Sequence, residues 1–195
     1  MSTKRDNPAL NTTPIDEELK EIFHKRLCDV PDEMLGKEEL SRRDIRSLAF
    51  HLLYALEQFD YSVSLESIVD NFRRGFEMDI ADDSPAIAMA RGASEKREEL
   101  DKLILPLLKN WKIERLGCCT RLILRLALFE LTQPDPIPSI IINEAIELAK
   151  GFAEKDAYKF INGILDEYVK VHKIGGDRKS DSEVEIADKE DSEGI

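Results

Sequence analysis

Several things are scarce in this 195-residue chain, and each shortage excludes a class of protein. No apolar run approaches the roughly 20 residues needed to span a bilayer, because Arg125 and Asn143 break the longest candidates. The opening "MSTKRDNPALNTTP" lacks the apolar core of a secretory signal, so a cytoplasmic protein is expected. Cysteine is limited to Cys28, Cys118 and Cys119. Adjacent side chains on a helix diverge by about 100°, so Cys118 and Cys119 cannot form a CxxC-type centre, and free buried thiols are expected. The three histidines, His24, His51 and His172, are scattered without a nucleophile or metal-ligand partner at a useful spacing. There is no glycine-rich phosphate loop. Neither an enzyme nor a cofactor is expected.

Positive charge is also in short supply, the net charge being −12. The deficit is uneven. Residues 1–40 carry 6 basic and 10 acidic groups, residues 41–173 carry 19 and 22, and residues 174–195 carry 3 and 8. A nearly neutral centre lies between acidic flanks, so any nucleic-acid footprint must be local.

What the chain does have is helical periodicity. Residues 1–40 read as an extension, polar at first, with one short helix capped by Thr13, opened by Pro14 and striped with Ile15, Leu19, Ile22, Phe23 and Leu27. Residues 41–173 read as a domain of successive amphipathic helices. Ile45, Leu48, Ala49, Leu52, Leu56 and Phe59 mark the first. Leu65, Ile68, Val69, Phe72 and Phe76 mark the second. A long third helix is expected from Ser84 to Asn110, bent or ended by Pro106, and a fourth from Ile113 to Leu131. The connector "QPDPIPS" then stops the helix, and Ser139 is expected to cap the fifth. The sixth runs from Asp156 to Val171. Residues 174–195 read as a disordered acidic tail. No period-2 strand pattern occurs, so the fold class is all-α.

Two stretches stand out. In "INEAIELAKGFAEKDAYKFINGIL" the stripe Ile142, Ala145, Ile146 and Ala149 leaves Glu144, Glu147 and Lys150 on the wetter side of the fifth helix. Glu144 and Glu147 have no accompanying nucleophile, so helix packing and a solvated face outweigh acid–base chemistry. Gly163 inside the sixth helix suggests close approach of another backbone. In "SRRDIRSLAFHLLYAL" a helical wheel places Arg42, Arg46 and Arg43 on one exposed arc beside the core face. Guanidiniums grouped this way bind phosphates and stack on unpaired bases, although an ordinary solvated face carries similar charge.

Together "SRRDIRSLAFHLLYALEQFD", "IERLGCCTRLILRLALFEL" and "INEAIELAKGFAEKDAYKFINGILDEY" closely resemble the NusB family of bacterial transcription antitermination factors, over about residues 40–172. The resemblance implies a pair of three-helix bundles without catalytic activity. It implies binding to the boxA element of ribosomal RNA transcripts, as a heterodimer with the small-subunit ribosomal protein NusE, on RNA polymerase with other Nus factors. It maps the family's RNA-contacting arginines onto Arg42, Arg43 and Arg46, and NusE docking broadly onto the C-terminal helices. Relatives occur both as monomers and as homodimers. The chain departs from the family in its acidic extension and tail, in Asp44 among the arginines, and in Gly151 preceding Phe152, which leaves Ala153 to make the turn. Two alternatives stand beside this reading. One is a NusB-like helical adaptor without RNA binding. The other is the NusB-like domain of an rRNA cytosine methyltransferase, for whose cofactor domain this length leaves no room.

Overall fold

A computed structural model describes residues 40–76, 78–108 and 112–175; the expected N-terminal helix, nearly all of the acidic tail, His24 and Cys28 lie outside them. The described residues form helices and connecting turns, without a strand, and none of these helices is long and apolar enough to cross a membrane. Seven α-helices follow in order: α1 (Arg42–Gln58), α2 (Leu65–Phe76), α3 (Pro85–Glu95), α4 (Arg97–Ile104), α5 (Cys118–Leu131), α6 (Pro138–Phe152) and α7 (Ala157–His172).

The helices gather into two groups of three, α1–α3 and α5–α7, joined where α1 and α3 pack on α5 and where α4 reaches across to α5. Two helices are buried beyond a single stripe. On α1 the run from Leu48 to Leu53 is sunk along with Ala55 and Leu56. On α5 the run from Leu122 to Leu128 is buried on every side. A helix wrapped by neighbours loses its amphipathic signature, because there is no wet face left to encode. Each fully buried leucine or isoleucine contributes roughly 1.5–3 kcal/mol of transfer free energy.

Small residues set the spacing between α1 and α3. Ala86, Ala90 and Ala93 line the buried side of α3 and let α1 approach closely. Gly92 faces α5, where a Cβ would lie 2.2 Å from Phe129 Cζ. Gly163 is different: a Cβ there would meet nothing within 4 Å, so the close backbone approach expected at that position is absent.

Other expectations are corrected at helix ends. The long third helix is interrupted at Lys96, and the restart as α4 buries Leu100 and Ile104 while laying the Arg97 guanidinium 4.7 Å from the Tyr61 ring centre. Pro106 lies in the 3₁₀ turn Leu105–Leu107 that closes α4. The fourth predicted helix starts later than Ile113. A 3₁₀ turn, Ile113–Arg115, comes first, and Gly117, packed under Glu154, marks the start of α5. Ser139 does not cap α6; Pro138 takes the first helical position, where its missing N–H costs nothing. Ala153 is extended, at φ −92° and ψ 177°, and the left-handed residue of the α6–α7 turn is Asp156, at φ 67°. The turn therefore needs no glycine beside Phe152.

Candidate nucleic-acid interface

The three arginines singled out from the sequence lie in the first turns of α1. That helix is started by a reciprocal cap. Asp44 N–H donates to Ser41 Oγ at 3.2 Å, while Ser41 N–H donates to Asp44 Oδ2 at 3.1 Å and the serine hydroxyl donates to the same oxygen at 2.5 Å. Two helix-end donors are thereby satisfied, and a carboxylate offsets the unfavourable placement of cations at a helix N-terminus. Asp44 is a cap before it is an interruption of the basic cluster. The serine and aspartate three apart were the available signal for it.

The arginines are not equivalent. Arg42 is exposed and makes no ion pair with the described residues. Arg43 is 63% exposed and places a fork on Glu144 of α6, with Nε to Oε2 at 3.2 Å and Nη2 to Oε1 at 3.3 Å. This hydrogen-bonded carboxylate, aided by its charge, raises the Arg43 pKa above its ordinary value. Arg46 departs from the wheel's expectation of an exposed arc, being only 12% exposed. Its Nε and Nη2 donate to Glu130 of α5 at 2.6–3.0 Å, and its Nη1 donates to the Arg42 carbonyl at 3.3 Å. The reason is tertiary: α5 packs on α1 and brings Glu130 to the flank of the stripe, a pairing across 84 residues.

The edge continues onto α6 and α7. Glu147 accepts from Lys150 Nζ at 2.7 Å, and this bond holds the carboxyl below its usual range, with Arg43 contributing. Lys150 and Lys159 place their ammonium groups 5.9 and 5.6 Å from the centre of the Tyr158 ring. Lys159 also pairs with Asp156 at 2.8 Å, which raises its pKa. Both ammoniums lie against the Tyr158 ring, a cation–π cluster that brings together the aromatic and cationic groups used for unpaired bases and phosphates. Sequence reading did not single this trio out, because the three residues belong to two helices.

Other polar groups are committed to structure. Arg125 of α5, buried, donates to both oxygens of Asp101 at 2.8 and 2.7 Å, to Glu57 at 3.0 Å and to the Tyr61 hydroxyl at 3.2 Å. Tyr61 donates to Glu57 at 2.8 Å, and Arg121 bonds the second oxygen of Glu57. Burial alone would raise the Glu57 carboxyl, but the Tyr61 hydroxyl and the two guanidiniums outweigh it and hold the carboxyl below its usual range. Neither Cys118 nor Cys119 is in a disulfide, and burial pushes the Cys118 thiol up to about 11, away from the reactive thiolate. A cavity of about 380 Å³ between α2 and α3 contains Arg73 and Arg91, but Asp70 and Asp82 pair with the first and Glu66 with the second.

Comparison with known proteins gives a consistent set of similarities. The model of the NusB family matches residues 43–170. The transcription antitermination protein NusB of Macrococcus caseolyticus is 37% identical over 131 residues, covering 67% of this chain and 98% of that protein. Its counterpart in Staphylococcus carnosus is 40% identical over 132 residues, covering 65% and 97%. Among solved structures, T. maritima NusB aligns with a TM-score of 0.59 at 33% identity, over 68% of this chain and 93% of that one. A protein chain in the crystal structure of a plectonemic RNA supercoil aligns with the same TM-score at 27% identity, over 69% and 97%.

Proposed function

The chain belongs to the NusB family, and on that premise we propose that it binds the boxA element of ribosomal RNA transcripts as a heterodimer with NusE. It works in transcription antitermination and is not an enzyme. The complex acts on RNA polymerase with other Nus factors, in the cytoplasm, where transcripts and ribosomal proteins meet.

The observation that carries this reading is the capped start of α1, which holds Arg42 and Arg43 toward solvent at the N-terminal edge of the family match. Arg42 and Arg43 make the phosphate contacts. Arg46, the third arginine of the set, acts from behind, its fork on Glu130 fixing the turn whose carbonyl it also binds. Tyr158 with Lys150 and Lys159 extends the track for an unpaired base. With so few cations the chain binds RNA modestly by itself. A basic partner such as NusE complements its acidic remainder and completes the surface.

The test is titration of a boxA oligonucleotide against Arg42→Ala/Arg43→Ala at fixed salt, with NusE present. The double variant is expected to bind about tenfold more weakly, with a log–log salt slope shallower by about 1.4, while NusE binding is retained. Equal RNA affinity would overturn the reading. A second reading, an adaptor without RNA binding, draws on the internal pairing of Arg43 and Arg46. It predicts no RNA binding even with NusE present.

A further inference from the structure

The three arginines of α1 are graded in availability: Arg42 is free of ion pairs among the described residues, Arg43 is paired yet exposed, and Arg46 is paired and covered. We propose that Glu144 is an internal competitor for the phosphate that Arg43 binds, and so sets the RNA affinity of the edge. This rests on the RNA-binding reading above.

The geometry of the fork carries the argument. A guanidinium offers a side-on fork, Nε with Nη2, and an end-on pair of Nη groups. Glu144 occupies the side-on fork through both of its oxygens, at 3.2 and 3.3 Å. A phosphate arriving at Arg43 therefore either settles for the end-on approach or displaces the carboxylate. Displacement leaves Glu144, only 17% exposed, without its partner, and sets a carboxylate beside a phosphate. Glu147, one turn further along α6, adds a second negative charge felt by Arg43, although Lys150 neutralises part of it. The Arg46–Glu130 pair cannot play this part, because both side chains are largely covered and four hydrogen bonds hold the guanidinium. Among the described residues Arg42 has no carboxylate to give up.

The experiment uses the full chain with NusE and a fluorescent single-stranded boxA oligonucleotide. Glu144→Gln keeps the shape of the side chain and removes its charge. It is expected to tighten RNA binding roughly three- to tenfold, from the lost competing pair and the lost repulsion. The salt slope is expected to change little, because Arg43 neutralises the same phosphate with or without its competitor. Glu144→Ala is expected to gain similarly, and melting curves for both variants establish that the fold is retained. In an Arg43→Ala background the same substitutions are expected to leave affinity unchanged. A gain that persists without Arg43 would reveal a general charge effect and overturn the competitor. So would unchanged or weaker binding by the folded single variants, while loss of Arg42 and Arg43 still weakens RNA binding. If no form of the chain binds the RNA, the reading beneath falls, and the competitor with it.

Discussion

Single residues show how little of a side chain's chemistry a sequence reveals. His51 reads as one of three scattered histidines, yet it is buried, edge-on to Phe50 and Phe152, with Nδ1–H donating to the Ser47 carbonyl at 2.7 Å. Burial pushes its pKa down to about 4 from an ordinary value near 6.5. A group with a folded pKa below its unfolded one favours the native state at high pH, because the unfolded chain takes up protons first as pH falls. The contribution is complete above about pH 6.5 and is lost down to about pH 4. Between pH 7 and pH 4 the native chain is expected to lose roughly 3 kcal/mol more than a His51→Leu variant, measured by urea unfolding at each pH. Parallel losses would remove His51 as the cause. The glycines teach the same lesson. Gly163, where a close approach was expected, has open space around it, whereas Gly92 is the one pressed against a neighbouring ring.

At the scale of elements, the apolar stripes placed most helices, and the errors fell at their ends. The stripe Leu65, Ile68, Val69, Phe72 and Phe76 coincides with α2 because one wet face remains beside one buried face. The break at Lys96 was not legible: Ser94, Glu95, Lys96 and Arg97 are all ordinary helix residues. The chain restarts there because Arg97 gains the Tyr61 ring and Asp101 gains Arg125. The start of α1 was legible in its chemistry, through Ser41 and Asp44. Ser41→Ala is expected to lower stability by about 1 kcal/mol in denaturant unfolding. RNA affinity should fall as well, since the frayed turn carries Arg42 and Arg43. A variant of unchanged stability would show that the cap does not hold this helix.

At the scale of the molecule, α1, α4 and α5 are tied by charge as well as by packing. Arg125 joins Asp101 of α4 to Glu57 of α1 from the middle of α5, and burial makes each of these bonds stronger and the loss of a partner more costly. Arg125→Met is expected to cost roughly 3–5 kcal/mol in denaturant unfolding, because Asp101 loses its counter-charge and Glu57 keeps only Arg121, while the methionine fills only the volume. A loss under about 1 kcal/mol would mean that the carboxylates rehydrate freely.

The division between sequence and tertiary structure follows from distance along the chain. Helical class, the order of the helices and the arginine cluster were determined locally, since periodicity, proline placement and capping chemistry act within a turn or two. Which arginine reaches solvent was decided by partners 84 and 101 residues away, Glu130 for Arg46 and Glu144 for Arg43. A helical wheel gives the direction of a side chain, but only the packing of α5 and α6 on α1 sets which carboxylate waits there.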